Sequence, residues 1–381
     1  MKRRLLDRLL LAATSIVIGA CATAPMPDID PAPVEPVAAI EVEPLPSLAE
    51  AREELALLIE ATLDEIERKE VLAHEINRAD RDAAASLEMP DHASVASAIR
   101  LFSDKLQPRI QASLDRSTIY KSMIDTVFDE YGLPRALTYL PVIESGYISS
   151  NASRAGALGI WQFMPGTARE YGLRVDWWVD DRLDPLRSTR AAAAYLKDLH
   201  AMFGDWPLAL ASYNAGPGRV RRAMTRERAS SFWDMQRRPI LPRETRGYVP
   251  TFYATLAIVS EPQTHGFRLC DPVGSPWDEV DRIELAGPVT LDYIADVAHL
   301  DAETLYGLNP SFRQGIVPPG ISTVMVPGDG ALFVRDMVDY LSATDPYLPV
   351  ASYIVRKGDS LRSVAQRLGV SHFAISAMNG N

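Results

Sequence analysis

Cysteine is almost absent from this chain: two residues, Cys21 and Cys270, among 381. That excludes a disulfide-stapled scaffold. The six histidines are scattered, so no metal-ligand spacing presents itself, and neither a phosphate-binding loop nor a glycine-rich dinucleotide fingerprint occurs. No cofactor and no metal are therefore expected. Positive charge is short as well, with 39 Lys and Arg against 50 Asp and Glu, a net −11. The first twenty residues hold Lys2, Arg3, Arg4 and Arg8 against Asp7 and carry +3, which leaves −14 for the rest. A polyanion of that size is a poor match for nucleic acid, whose phosphates need clustered cations to displace counterions. What remains is the composition of a folded protein, 47% hydrophobic and 23% charged, which excludes a disordered or collagen-like chain. The length allows about two or three domains.

Residues 1–8 form a basic stretch and residues 9–18 an apolar one, too short to span a bilayer. Together, residues 1–20 read as a signal peptide. The segment ends Ile18-Gly19-Ala20-Cys21, which resembles a bacterial lipobox. The resemblance implies that Cys21 is lipidated and anchors the chain to a membrane; a plain signal peptide with a chance cysteine is the alternative. Ala22 stands where an aspartate retains enteric lipoproteins at the inner membrane, so the resemblance points to the outer membrane, on its periplasmic side. With Cys21 acylated, Cys270 has no partner within the chain and is expected to be a buried thiol. Residues 21–46 are rich in Pro, Ala, Glu and Asp and have little to bury, as a tether would. An N-terminal helical region spans 47–96, with Leu55, Ile59, Leu63, Ile66 and Leu72 at helical spacing. Residues 97–262 give a dense series of helical segments punctuated by Gly and Pro, one compact and mainly α domain.

Beyond it, two segments match at an offset of 70 residues. Leu291, Ala295, Leu305, Leu308 and Asn309 align with Leu361, Ala365, Ile375, Met378 and Asn379. Self-similarity at a fixed offset is the mark of a repeated module, here a short strand, a helix, a turn and a second helix. The first copy spans 280–328 and continues to a second strand at 322–327. The second copy, 352–381, stops two residues after Asn379, so it is expected to be incomplete and loosely held.

One acid stands out. Glu144 ends an apolar helical pattern of Leu137, Leu140 and Ile143, where partial desolvation would raise its pKa toward that of a general acid at neutral pH. A glutamate at a helix end is more often simply solvated. Against that reading, residues 145–169 contain no Asp or Glu and are rich in Gly, Ser, Asn, Trp and Gln, the hydrogen-bonding and stacking set that sugar sites use.

Glu144-Ser145, then Gly159-Ile160-Trp161-Gln162, then Ser212-Tyr213-Asn214-Ala215-Gly216 resemble the ES, GLxQ and AYN motifs of the family 1 lytic transglycosylases in order and spacing. Val179-Asp180-Asp181-Arg182-Leu183-Asp184-Pro185 and the segment 241–250 extend the likeness. Ile160 and Ser212 replace the usual Leu and Ala. The resemblance implies a lysozyme-like (SLT) helical catalytic domain followed by small βααβ LysM-like modules. It implies cleavage of the β-1,4 bond between N-acetylmuramic acid and N-acetylglucosamine in peptidoglycan, with formation of 1,6-anhydro ends. Glu144 would protonate the glycosidic oxygen and then deprotonate the C6 hydroxyl that attacks C1, so that a single carboxyl serves both steps. Two-carboxyl glycosidases do otherwise, although an acid remote in sequence remains able to fold back on the cleft. Ser153 matches a serine that bonds near the catalytic carboxyl, Tyr213 a tyrosine that contacts and orients it, and Gln162 and Asn214 amides that line sugar subsites. Ser145 is open between a helix-end bond and substrate contact, and Trp161 reads as core. Glu244 is open between a buried structural acid beside Arg243 and Arg246 and a contact for peptide stems.

The segment 353–361 resembles the opening of a LysM domain, which implies binding of N-acetylglucosamine chains. There Gly358-Asp359 would make the turn and Ser360 would cap the helix. The upstream copy has Pro288-Val289 at those places, so weak or no glycan binding is expected of it. Two other readings stand beside the leading one: a goose-type lysozyme, which uses water as the acceptor, and a non-catalytic lipoprotein that holds the wall. Protein partners are not legible in the sequence.

Overall fold

A computed structural model describes residues 87–270, 275–277, 280–328, 330–336 and 353–368, with the single positions 372 and 375. The signal peptide, Cys21, the tether and the helical pattern up to residue 86 lie outside the described residues. So do most of residues 369–381.

Helix punctuation follows the sequence closely. His92 caps α1 (Ala93–Asp104), its ring accepting from Ser94 N–H at 3.3 Å. The 25-residue α2 (Gln107–Tyr131) opens with Pro108 and ends on Gly132, whose φ of +68° lets the chain leave the helix in a left-handed turn. A 3₁₀ turn (Arg135–Tyr139) then leads into the short α3 (Leu140–Glu144). After α4 (Pro165–Glu170), Asp184 caps α5 (Pro185–Phe203) and Asp205 caps α6 (Trp206–Ala215), each carboxylate accepting a backbone N–H at 2.8 Å. The helices α7 (Pro217–Glu227), α8 (Phe232–Gln236) and α9 (Arg243–Ser260) complete the domain. The mainly α fold class therefore holds, and α1 begins at Ala93.

The core gathers Ile124 and Phe128 of α2, Leu137 and Leu140 beside the site, Trp161, Leu196, Leu208, Phe232 and Phe252. Polar groups are built into it deliberately. The buried Lys121–Asp125 pair of α2 lies at 2.9 Å, and Asp125 also accepts from Thr138 Oγ1 at 2.6 Å. A buried ion pair survives desolvation when its remaining lone pairs are satisfied, and here that satisfaction joins α2 to the turn just ahead of α3. Cys270 differs from expectation: it is half-buried, its thiol donating to Asp115 Oδ1 at 3.3 Å. The carboxylate offers a polar partner that a core would not.

The second part is a βααβ unit: β1 (Val280–Thr290), α10 (Leu291–Ala298), α11 (Ala302–Leu308) and β2 (Ile316–Pro327), with β1 and β2 antiparallel. Asn309 ties the unit together. Buried after α11, it donates to Met325 O and accepts from Met325 N–H, both at 2.7 Å, as a strand residue would. The β1 strand runs straight through Pro288-Val289, with a bulge at that point and Val289 buried, so the turn at 358–359 has no counterpart here. The loop after α11 seats on the helical domain through Asp180 N–H to Ser311 O at 2.9 Å and Arg313 N–H to Trp178 O at 3.0 Å.

In the terminal copy, Gly358 takes φ +93° and Asp359 accepts from Arg356 N–H at 2.8 Å. Ser360 caps α12 (Leu361–Leu368) by accepting from Ser363 N–H at 3.1 Å. The expected strand over 353–355 is absent: this stretch has no strand partner among the described residues, and Ile354 and Val355 are 87% and 72% exposed. Without a ladder to join, extended backbone is satisfied by water instead.

Candidate active site

Glu144 is the last residue of α3, and the chain beyond it is fixed at every step. Ser145 is buried and donates to Ile160 O at 2.8 Å. Gly146 and Tyr147 follow with φ of +62° and +59°. A Cβ on Gly146 would meet Ser113 Oγ at 2.8 Å, so the close approach to α2 needs glycine. Arg116 Nε holds the Gly146 carbonyl at 2.7 Å, and the buried Tyr147 hydroxyl donates to Thr138 O. The site carboxyl thus rests on the same buried network that joins α2 to the 3₁₀ turn.

The facing loop, 151–163, doubles back on itself through Leu158, which bridges both Ala152 and Phe163. Ser153 Oγ accepts from Ala157 N–H at 2.9 Å. Gln162, at φ +48°, donates its amide to Asn151 O and Gly159 O at 2.9 Å. Trp161 is buried, its ring N–H donating to Thr189 Oγ1 of α5 at 2.9 Å. A buried arginine staples this loop from the 179–185 segment. Arg182 grips Asp180 through two bonds, of 2.8 and 2.7 Å, and donates to Gly156 O at 2.7 Å and Phe163 O at 3.0 Å.

Between α3, this loop, α6 and the start of α9 lies a cleft of about 1140 Å³. Glu144, Ser153, Gln162, Tyr213, Asn214, Glu244 and Tyr248 all line it. Burial pushes the Glu144 carboxyl up to about 7; a hydrogen bond from the Tyr248 hydroxyl pulls it down and the negative charge of Glu244 pushes it up. Tyr248 itself is held well above the usual tyrosine range, first by burial and then by the Glu144 charge, so it is a donor at any working pH. Near neutrality the carboxyl can therefore either give or take a proton. Among the described residues, no group of three or more His, Cys, Asp or Glu side chains could hold a metal ion.

One expectation needs correction and two open ones are narrowed. The tyrosine bonded to Glu144 is Tyr248; Tyr213 instead donates to Trp161 O at 2.9 Å and so fixes the facing loop. Ser145 is not among the residues that line the cleft, and its hydroxyl donates to the Ile160 carbonyl, a bond at the helix end rather than a substrate contact. Glu244 is exposed on the cleft wall in the first turn of α9, and no ion pair joins it to Arg243 or Arg246 among the described residues. It accepts from Asn214 Nδ2 at 3.2 Å, while Asn214 Oδ1 accepts from Thr245 Oγ1 at 2.7 Å. A second carboxylate has thus folded back, 100 positions after the first. Ser153 reaches the cleft, but its hydroxyl is bonded to its own loop, by the Ala157 N–H. The sequence did hold a signal for Tyr248: it stands one helical turn after Glu244, on the same face of α9.

Residues 128–236 match the family described as "Transglycosylase SLT domain", and residues 279–339 match that described as "Lytic transglycosylase MltD, LysM-like domain". Membrane-bound lytic murein transglycosylase D of Escherichia coli K12 is 35% identical over 254 residues, 63% of this chain and 55% of that protein. The chain thus spans about half the length of that relative. Peptidoglycan transglycosylase gp16 of Escherichia phage T7 is 34% identical over 119 residues, 31% of this chain and 9% of that one. Among solved structures, the 70 kDa soluble lytic transglycosylase of Escherichia coli shares 28% identity, with 36% of this chain and 24% of that one covered at a TM-score of 0.32. The SLT match ends before Glu244 and Tyr248.

Proposed function

From an SLT transglycosylase domain at residues 128–236, we propose that the chain is a lytic transglycosylase acting on peptidoglycan. The carrying observation is the Glu144 carboxyl, set in the cleft with its pKa raised to about 7 and bonded by Tyr248. Protonated, Glu144 gives its proton to the oxygen between N-acetylmuramic acid and N-acetylglucosamine as the C1–O bond breaks. The resulting carboxylate then takes the proton of the muramoyl C6 hydroxyl while that oxygen bonds to C1, closing the 1,6-anhydro ring. An internal nucleophile carries an effective molarity of about 10⁵–10⁸ M, so no activated water is required. Gln162 and Asn214 line the cleft as amides for the sugar acetamido groups. The upstream βααβ unit serves as a seat for the 174–184 segment, and residues 353–368 supply the glycan-facing turn at Gly358, Asp359 and Ser360.

One observation favours a second reading, a hydrolase that uses water: Glu244 supplies a second carboxylate to the cleft wall. Mass analysis of the released muropeptides separates the two. Ends lighter by one water support transglycosylation, and reducing ends with no anhydro product overturn it.

The pH profile should report the neighbours of Glu144 with opposite signs. The first step needs the protonated acid, so turnover should fall as pH rises through about 7. Tyr248→Phe removes a bond that favours the charged carboxyl, which raises its pKa and moves the falling limb to higher pH. It also frees the carboxyl to rotate, at a cost of about tenfold in turnover. Glu244→Gln removes a repelling charge and moves the limb to lower pH, with anhydro products still formed. Stopped assays on purified glycan strands from pH 5 to 9 measure both, and limbs that shift in the same direction would refute the assignment.

The envelope address rests on Cys21. The Escherichia coli relative is named as membrane-bound, and no helix among the described residues is long and apolar enough to cross a membrane. A lipid on Cys21 supplies the anchor, on the periplasmic side of the outer membrane. Cys21→Ala should move the protein from the membrane to the soluble fraction with unchanged activity on soluble fragments. Continued sedimentation with membranes would point to another anchor.

A further inference from the structure

The net charge of −11 conceals a reversal. Residues 217–246 hold nine arginines against three acids and no lysine, a local net of +6. They form α7, α8 and the entry to α9, and between α7 and residues 239–242 lies a groove of about 980 Å³. Arg219, Arg222 and Arg226 fall at i, i+3 and i+7, one face of α7, and all three line the groove and are exposed. Val220 and Ala223 are the buried residues of the helix, and Ala223 joins the arginines in lining the groove. Among the described residues, Arg219 and Arg222 have no carboxylate within 4 Å, and Arg226 has only Glu227 at 3.8 Å, a residue that also pairs with Arg238 at 2.7 Å. Three mutually repelling guanidinium groups on one face cost stability unless an anion meets them.

The position of the groove says which anion. Gly216 and Arg243 line the cleft, and Gly218 and Pro242, their near neighbours in the chain, line the groove. Both walls of the cleft therefore continue as the walls of the groove, across the junction of α6 with α7 and at the start of α9. A polymer that overruns the cleft along these walls meets the basic segment. We infer that the groove is a subsite for the carboxylate-bearing peptide stems of the peptidoglycan strand flanking the cleavage point, with Arg219, Arg222 and Arg226 as its contacts. This rests on the transglycosylase reading above. A glycan strand stripped of stems keeps only a lactyl carboxylate held close against each muramoyl ring, whereas the free carboxylates of a stem reach out from the strand and suit planar guanidinium forks. A concave surface of one sign also concentrates its counter-ion.

The test uses the full chain carrying Arg219→Gln, Arg222→Gln and Arg226→Gln together, on murein strands with stems and on the same strands stripped of peptide by an amidase. With stems, KM should rise about tenfold at unchanged kcat. On stripped strands the variant should match wild type, which also shows that it folds. Raising salt from 50 to 300 mM should erode the wild-type preference for stems and leave the variant unmoved. An unchanged KM on stem-bearing strands, or an equal loss on both substrates, overturns the inference. So does an unchanged KM accompanied by loss of binding to phosphatidylglycerol vesicles, which would assign the groove to a membrane. Wild-type protein that yields no anhydro ends on either strand overturns the function itself, and the subsite with it.

Discussion

Glu144→Gln is expected to keep the fold and to abolish release of 1,6-anhydro muropeptides. The amide is close to isosteric, but it can neither give an acidic proton nor take one back. Loss of general acid–base catalysis costs about 10²–10⁴-fold for a single step, and here one group serves two. The same change should stabilise the protein. The unfolded chain ionises Glu144 above its ordinary value of 4.5, whereas the folded chain resists until about 7. Stability is therefore lost progressively between those values and stays lost above them. Glutamine escapes that loss, at the expense of a weaker bond from Tyr248. The variant should gain about 2–3 kcal/mol over wild type at pH 8 and little at pH 4. Turnover and thermal unfolding at both pH values check the two halves. More than a tenth of wild-type turnover, or an equal stability change at both pH values, would sink the assignment.

What could be read from the sequence was local. The apolar run Leu137, Leu140, Ile143 ending on Glu144, and the acid-free stretch beyond it, marked the carboxyl because desolvation and spacing act over a few residues. The loop at 151–163 and the segment at 212–216 were legible as motifs, but the bonds made by their side chains were not. Tyr213 was read as the partner of the carboxyl because it lies in a motif. Its hydroxyl instead finds the Trp161 carbonyl at 2.9 Å, an acceptor with no sequence signature. Tyr248 and Glu244 reach the cleft through the packing of α9 against α1 and α6, a contact between elements far apart in the chain. For the βααβ unit the case was easier. The offset repeat carried the element order of the first copy, and Asn309 there is a buried side chain standing in for a peptide group.

The 151–163 loop offers the most severe test of the geometry away from the carboxyl itself. Gly159 takes φ +85°, and a Cβ there would lie 1.9 Å from the Arg182 carbonyl oxygen. That oxygen cannot retreat cheaply. The Arg182 side chain is held by the Asp180 carboxylate and in turn holds Gly156 O and Phe163 O, so loop and staple would have to part together. Parting them keeps the Arg182–Asp180 pair but strips the buried guanidinium of the Gly156 and Phe163 carbonyls, at about 1.5–3 kcal/mol for each bond to a charged group. Gly159→Ala should therefore destabilise the domain by more than about 4 kcal/mol. Where folded protein is recovered, kcat/KM should fall about 100-fold, because Gln162 donates to the Gly159 carbonyl and shifts with it. Gly156→Ala is the control. It lies in the same loop at φ +90°, but its Cβ would meet nothing within 4 Å, so only the backbone term of about 1–2 kcal/mol applies. Denaturant unfolding of the two variants side by side measures the difference. Equal losses would mean that the cost is one of backbone conformation alone, and that the close passage of Gly159 over Arg182 does not hold the loop in place.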